Sequence, residues 1–179
     1  MISSQANASR IAVTGFCIAL LLAWACYWPA TGGGFQLDDR SNLGGLVYVD
    51  DAQSAWDFIL SGTSGPSGRP LALATFAWQA DHYADGASAF IAANILIHLL
   101  NAILLASGFY QLALLRGVER QKSAVIAAVA ASLWVLLPLL ATASLLVVQR
   151  MATLSATFLL LGLACYLFAR RRIDVAPGK

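Results

Sequence analysis

Two adjacent aspartates, Asp38 and Asp39, are the first residues of this sequence whose type and position suggest chemistry. They follow closely on an apolar stretch, so we expect them near a membrane surface. A carboxylate held against apolar surface is hard to ionise unless a cation lies beside it, and such a group is a good general base for a hydroxyl or an amide. The pair equally suits a solvated loop or a helix cap.

Three polar residues recur at helical spacing inside a later apolar stretch. Asn94, His98 and Asn101 stand at i, i+4 and i+7, which places them on one face of a helix. Polar groups are costly in lipid, so this face is expected to look into the protein or into a wet cavity. Two interpretations follow: hydrogen bonding between helices, or one wall of a substrate cavity.

A polar pair, Gln149 and Arg150, separates two further apolar stretches. An arginine at the bilayer centre costs about 2.5–3.5 kcal/mol on insertion scales, and less near the interface. Its planar guanidinium matches phosphate oxygens, so Arg150 is a candidate phosphate ligand. The alternative is that its side chain snorkels to the lipid headgroups.

The composition indicates that these residues are carried by membrane helices. Apolar residues make up 59% of the chain and charged residues 11%, against about 45–50% and about 25% in soluble domains. The mean hydropathy is +0.72. The net charge of +2, without a basic run that contains aromatics, argues against nucleic acid as a partner. The cysteines, Cys17, Cys26 and Cys165, lie in apolar runs and are interpreted as packing residues.

The apolar stretches predict an all-α integral membrane protein with one membrane domain and four transmembrane helices. The predicted spans are 11–31, 87–115, 123–148 and 151–169. The first could be confused with a signal peptide, but it exceeds the usual length of about 7–15 apolar residues, so we interpret it as an uncleaved anchor. Pro138 is expected to kink or end the third helix, because proline removes a backbone donor.

The distribution of charge predicts the orientation of the four spans. Eight of the eleven Lys and Arg residues lie before the first span, between the second and third, or after the fourth: Arg10, Arg116, Arg120, Lys122, Arg170, Arg171, Arg172 and Lys179. By the positive-inside rule the termini, the loop 116–122 and the tail 170–179 are cytoplasmic. The loop 32–86 has seven aspartates against two arginines, a net charge of −5, and is therefore expected outside.

This long loop is expected to contain structure of its own. The segment AQSAWDFIL, Ala52–Leu60, predicts a short amphipathic helix that lies on the bilayer. Its apolar face would consist of Ala55, Trp56, Ile59 and Leu60. The segment SGTSGPSGRP that follows is typical of a turn.

Four motifs in a fixed order resemble those of a known family. GGFQLDDRSNLGGL, SGPSGRPLALATFAWQAD, NILIHLLNAILL and LWVLLPLLATASLLVVQRMATLSATFLLLGLACYLFAR are together similar to the N-terminal membrane region of GT-C glycosyltransferases, in particular to the bacterial, tetratricopeptide-linked protein O-mannosyltransferases. The resemblance covers residues 32–170. It implies a multi-span protein of the bacterial inner membrane that transfers a sugar from a polyprenyl-phosphate carrier to an extracytoplasmic acceptor.

The resemblance also implies site residues. Asp38 and Asp39 match the acidic motif that serves as catalytic base or metal contact, and Asp39 is the preferred base. The implied mechanism is either metal-free or assisted by a divalent cation at this pair. The residues that match substrate or lipid-phosphate positions are Arg69, His98, Asn101, Gln149 and Arg150, and Asn94 joins them from the polar face.

The sequence departs from the family pattern in two ways. Leu137 stands before Pro138 where the family usually has histidine, which removes one polar group from the expected cavity. Full GT-C enzymes also have about twice as many spans as predicted here, so the expectation is a fragment or one part of a split enzyme, with membrane lipids and the lipid-linked sugar as partners. The alternatives are a non-catalytic subunit that binds lipid or a partner membrane protein, and a small transporter component, for which no inverted repeat is found.

Overall fold

The computed structural model of the chain describes residues 2–62 and 68–175, and every regular element in this part is helical. The α-helices, α1 to α8 in chain order, are Ile2–Tyr27, Asp39–Leu43, Ala52–Leu60, Pro70–Ala77, Ser88–Leu115, Arg120–Val135, Ala141–Leu145 and Arg150–Val175. Short 3₁₀ turns occur at Trp28–Gly32, Gly44–Tyr48, Ala80–His82, Pro138–Leu140 and Val147–Gln149. The predicted all-α class is confirmed. Half of the predicted turn segment 61–70, residues 63–67, and the end of the tail 170–179 lie outside the described residues.

Three helical stretches are long and apolar enough to cross a membrane. They are Asn7–Gly32, Ser88–Leu115 and Val147–Ile173, with mean hydropathies of 2.0, 2.1 and 1.9. Large apolar side chains on them are exposed, as Ile11 and Leu159 show at 72% each. Water would disfavour this much apolar surface, whereas lipid covers it without cost. The chain therefore has the helices of a membrane protein, as the composition predicts.

A bend interrupts the region of the predicted third span. Helix α6 ends at Val135, and Pro138–Leu145 continues at an angle of 57° to it. Proline has no N–H for the helical ladder and its ring clashes with the preceding turn, so the helix stops before Pro138. The predicted kink is confirmed. Counting the bent pair as one span raises the number of candidate spans from three to four.

The described residues form two compact units. The first unit contains α1 up to Cys26, α5 from His98 onward, α6 and α8 from Ser155 onward. The second unit takes in Tyr27–Ile97, apart from residues 63–67, together with Leu139–Leu154.

Small side chains dominate the core of the first unit. Ala19 and Ala23 of α1, Ala102 of α5 and Val135 of α6 are buried in one cluster. The partly buried residues packed against this cluster are Phe16, Leu20, Leu99 and Trp134. Alanine at helix interfaces lets the backbones approach closely, which is how helices associate in membranes, where lipid removes the hydrophobic drive to associate.

The second unit is built from short helices. Helix α3 packs against α4, with Phe58 of α3 and Leu73 and Phe76 of α4 buried. A cluster of aromatic rings adds to this core. Phe35 lies 4.9 Å from Tyr83 and 5.6 Å from Phe90, between ring centroids.

Helix α3 begins and ends where the sequence predicts, at Ala52 and Leu60. Asp51 starts it with a capping box: its carboxylate accepts from the Ser54 amide at 2.7 Å, and the Ser54 hydroxyl accepts from the Asp51 amide at 3.0 Å. These bonds, from the Ser54 amide above all, lower the pKa of Asp51 from its usual value. Trp56 and Leu60 are exposed, as an interfacial helix requires, whereas Phe58 supplies the buried contact.

Candidate functional site

The predicted site residues of the second unit divide into a buried cluster and an exposed group. Asp39 belongs to the buried cluster and is only 1% exposed. Its Oδ1 accepts from the Val148 amide at 2.7 Å, and its Oδ2 accepts from the Gln36 amide at 2.9 Å. Both oxygens are thus engaged, and the carboxylate joins the start of α2 to the 3₁₀ turn that leads into α8.

Asn94 holds the same 3₁₀ turn from the side of α5. Its Nδ2 donates to the carbonyls of Leu146 at 3.0 Å and Val147 at 3.2 Å. Its Oδ1 accepts from Nε of Arg150 at 2.8 Å. One amide side chain therefore satisfies two carbonyls and one charged donor in the core of the unit.

Arg150, the first residue of α8, is also only 1% exposed. Besides the bond to Asn94, its Nη1 donates to the Thr75 carbonyl at 3.2 Å and its Nη2 to the Phe90 carbonyl at 2.9 Å. The guanidinium carbon lies 4.4 Å from the centroid of the Phe76 ring, a favourable cation–π distance. Each of the three nitrogens thus binds a protein acceptor, and the guanidinium is enclosed by protein rather than open to a phosphate.

A polar cavity lies elsewhere in the second unit. Its volume is about 130 Å³. The lining residues, which come from α2, the turn after it, α3 and its C-terminal end, α4 and α8, are Ser41, Asn42, Gly45, Phe58, Ser61, Gly62, Leu73 and Met151. The lining combines hydroxyl and amide groups with apolar groups, which suits a small polar ligand.

Asp38 is the exposed carboxylate of the aspartate pair and stands directly before α2. Two side chains that line the cavity bind its backbone: the Ser41 hydroxyl donates to the Asp38 carbonyl at 3.0 Å, and Nδ2 of Asn42 donates to it at 2.8 Å. Asp38 is therefore fixed to the cavity wall by its main chain, while its carboxylate remains open to solvent.

Arg69 is the exposed guanidinium of the same region. Its Nη1 lies 3.8 Å from Sδ of Met151, which lines the cavity. Arg69 therefore provides an accessible positive charge beside the cavity, in contrast to the buried Arg150. This is the type of group that binds phosphate.

The backbone is strained at two positions of the second unit. In the described part of the chain, the non-glycine residues with positive φ are Leu37, at 46°, and Arg69, at 55°. Leu37 immediately precedes Asp38. Side chains in the left-handed region cost free energy, and such residues cluster at functional sites. One strained position is thus Arg69 itself, and the other directly precedes Asp38, whose own φ is −73°.

Gly62 and Gly68 bring two backbone segments together at the cavity. A Cβ on Gly62 would lie 2.1 Å from the Gly68 carbonyl oxygen, and a Cβ on Gly68 would lie 2.5 Å from that of Gly62. Neither position has space for a side chain. The approach of these segments, with φ of +65° at Gly68, requires glycine.

The predicted polar face of α5 divides between the two units. Asn94 belongs to the second unit, and His98 and Asn101 belong to the first. All three are buried, at 0%, 2% and 2% exposure. His98 stacks on Trp134 with 4.9 Å between ring centroids, and its Nε2 lies 3.4 Å from the Val135 carbonyl. The face is thus turned into protein, as the cost of polar groups in lipid predicts.

Asp38 and Asp39 do not fit a pair of metal ligands. One carboxylate is exposed, whereas the other has both oxygens bound to backbone amides. No group of three or more His, Cys, Asp or Glu side chains suited to a metal ion occurs among residues 2–62 and 68–175.

Several residues of the cavity were not predicted from the sequence. Ser41, Asn42, Ser61 and Met151 carry no motif that distinguishes them from ordinary loop or helix residues. Gln149, which was predicted, is half-buried, and its carbonyl lies 3.4 Å from the Thr153 hydroxyl. The proximity of Ser41 and Asn42 to the aspartate pair is the one signal that could have found them.

The resemblance to GT-C glycosyltransferases rests on the residues of this sequence alone and stays a prediction. Comparisons with known protein families, curated proteins and solved structures found no match to this chain.

Proposed function

We propose that this chain is a GT-C-like glycosyltransferase module that transfers a sugar from a polyprenyl-phosphate carrier to an extracytoplasmic acceptor. In this proposal it lies in the bacterial inner membrane with four spans, the bent pair counting as one. Both termini and the loop 116–122 are cytoplasmic, and the loop 32–86 is outside. The charge distribution and the candidate spans support this arrangement.

One observation carries the proposal: the backbone of Asp38 and the guanidinium of Arg69, both exposed residues, are bonded to residues that line one polar cavity. Asp38 is fixed to that cavity through Ser41 and Asn42, and Arg69 through Met151. Sugar transfer from a lipid phosphate needs a base for the acceptor and a cation for the leaving phosphate. Both groups are present here, Arg69 on backbone with positive φ and Asp38 directly after a residue with positive φ.

The proposed reaction is a single displacement. Asp38 accepts the proton of the acceptor hydroxyl or amide while the acceptor atom bonds to the anomeric carbon. The bond from that carbon to the phosphate oxygen breaks, and its electron pair leaves with the polyprenyl phosphate. Arg69 offsets the charge on this phosphate, and Asp38 afterwards releases its proton to water.

Asp39, Asn94 and Arg150 act as positioning residues in this proposal. Their bonds join α2, α4, α5 and the start of α8, the same elements that carry Asp38 and Met151. A rigid supporting layer holds the reacting groups within the narrow tolerance that catalysis requires. The resemblance pointed to Asp39 as the preferred base, whereas its two backbone bonds favour Asp38 for that role.

The test is a transfer assay with a radiolabelled polyprenyl-phosphate sugar, using the chain in proteoliposomes and in the membranes of the expressing cells. Asp38→Asn is expected to lose about 100-fold or more in rate. Arg69→Asn is expected to lose about 100-fold in rate. Asparagine is chosen because it tolerates the positive φ at this position. The matched controls are Asp81→Asn and Arg40→Gln, two exposed residues of the same loop.

The transfer rates of the site variants and of the controls decide whether the proposed site is correct. Retained transfer in both controls with loss in both site variants supports it. Equal transfer by Asp38→Asn, Arg69→Asn and the controls refutes the assignment of the site.

A second function, a non-catalytic membrane subunit, is favoured by the buried cluster. Asp39, Asn94 and Arg150 are bound to protein groups, so in this alternative they serve only to hold the fold. Purification from native membranes distinguishes the two functions. A stoichiometric partner without transfer activity supports the subunit, and a chain that transfers sugar unaided refutes it.

A further inference from the structure

A second candidate site lies in the first unit, apart from the polar cavity. It is a groove of about 470 Å³ between the N-terminal part of α1 and the beginning of α6. Its lining residues are Ala8, Gln121, Lys122, Val125 and Ile126. The surface of this groove is almost wholly apolar. A groove of this kind suits a hydrocarbon chain.

Basic residues outnumber acidic ones in the segments that form the groove. Lys122 lines it and is exposed. Arg116, Arg120 and one acid, Glu119, lie within six residues of Lys122 in the sequence, and Arg10 lies two residues after Ala8, which also lines the groove. Four positive charges against one negative charge leave a net of +3. Glu119 lies 3.7 Å from Lys122, but both side chains are largely solvent-exposed, so this ion pair is weak.

Gln121 contributes an unsatisfied acceptor to the same place. It lines the groove, and its Oε1 is buried without a hydrogen-bond partner among the described residues. A buried acceptor in this state is unfavourable, because it has lost its hydrogen bonds to water. A ligand that brings a hydroxyl donor would remove that cost.

We propose that this groove binds one anionic phospholipid with a hydroxylated headgroup, of the phosphatidylglycerol class. One acyl chain lies along Ala8, Val125 and Ile126. The phosphate lies at Lys122, where the positive end of the α6 dipole adds to the attraction, and a headgroup hydroxyl donates to Gln121. Basic pockets between membrane helices bind anionic headgroups for the same reason.

Native mass spectrometry of the detergent-purified chain tests this inference. The probes are phosphatidylglycerol and phosphatidylcholine of the same acyl chains. We expect the unaltered protein to retain one phosphatidylglycerol in preference to phosphatidylcholine. Lys122→Gln is expected to bind phosphatidylglycerol about fivefold less tightly. Ile126→Trp, which fills the groove, is expected to abolish retention. The matched controls are Arg171→Gln, a basic residue of α8, and Val129→Trp, an exposed residue of α6 that does not line the groove.

Three outcomes overturn the inference. Equal retention of the two lipids would show that the headgroup is not recognised. Unchanged retention in both Lys122→Gln and Ile126→Trp would place the lipid elsewhere. A dimer that Ile126→Trp abolishes and Val129→Trp does not would assign the groove to a second copy of the chain. None of these results depends on sugar transfer, so this inference and the proposed function fail separately.

Discussion

The buried cluster and the polar cavity of the second unit use the same residue types in opposite ways. In the cluster, Asp39 and Arg150 are each 1% exposed and bind backbone groups and an amide. At the cavity, Asp38 and Arg69 are exposed, and lining residues fix their position. Charged groups that are saturated by protein contacts hold structure, whereas charged groups left open can meet a ligand.

The two neighbouring aspartates show this difference most directly. Asp38 and Asp39 are adjacent, yet the Asp39 side chain is buried in the core and Asp38 is exposed to solvent. Helix geometry explains the separation, because consecutive residues are about 100° apart around a helix and cannot share a face. Adjacent acidic residues at a helix start are therefore poorly suited to act together as a bidentate site.

The largest effect on stability is expected from Arg150→Ala. Its removal leaves the Thr75 and Phe90 carbonyls and Asn94 without their charged donor. We expect a loss of about 3–5 kcal/mol in the free energy of unfolding, measured by thermal or denaturant unfolding in detergent. Arg172→Ala, at an exposed arginine of the same helix, should stay within about 0.5 kcal/mol. Equal losses in the two variants would contradict a special role for the cluster.

The next largest effect is expected from Asn94→Leu, with a loss of about 2–4 kcal/mol in the free energy of unfolding. Leucine keeps the branching of the side chain but leaves the Leu146 and Val147 carbonyls and one Arg150 donor without partners. Combined with Arg150→Ala in a double-mutant cycle, it should show a coupling of about 1 kcal/mol or more. Additive losses would mean that the two side chains act independently.

Asp39→Asn and Asp38→Asn sharpen the comparison between neighbours. Asparagine at position 39 directs an amide donor at a backbone N–H, so we expect a loss of about 1–3 kcal/mol in unfolding free energy. At position 38 the change should stay within about 0.5 kcal/mol, while sugar transfer falls. Thermal or denaturant unfolding measures the stability of both variants, and the transfer assay measures their activity. Our assignment of the two aspartates would be reversed if Asp38→Asn were destabilised while Asp39→Asn kept normal stability.

Gly62→Ala tests the cavity without touching the cluster. The added Cβ meets the Gly68 carbonyl and Leu73, so the wall must shift, and we expect a loss of at least about 1 kcal/mol. Gly32→Ala is the matched control, because nothing lies within 4 Å of its Cβ. Unfolding curves of the two variants should therefore differ, and identical curves would show that the close approach of residues 62 and 68 is not maintained.

The smallest effect is a local pH dependence at α3. Since hydrogen bonds from Ser54 lower the pKa of Asp51 in the folded protein, its stabilising effect is present above the usual aspartate pKa of about 3.9 and is lost as the pH falls through the folded value. Protection of the α3 amides against hydrogen exchange, relative to their intrinsic rates, should decrease below about pH 4. Asp51→Asn should abolish this pH dependence, and an unchanged profile in that variant would assign it to another group.

Much of the helical framework was predictable because it depends on local properties. Runs of about 20 apolar residues, a proline inside one of them and the pattern of AQSAWDFIL predicted long helices, a break near Pro138 and helix α3 with its observed bounds. The start of α1 was less predictable. The structure begins this helix at Ile2, nine residues before the apolar run, since polar residues also continue a helix.

Composition and periodicity by themselves determined that this chain is helical, apolar enough for lipid, and turns its polar α5 face inward, because those properties arise from each segment's own residues and the solvent around it. Only the tertiary structure decided which charges are buried. Asp38 and Asp39, or Arg69 and Arg150, are alike in sequence, and their exposure depends on contacts with Val148, Asn94, Phe90 and Met151 that lie 50 or more residues away. Burial of a charge is a property of the assembled unit, since only distant segments supply its partners.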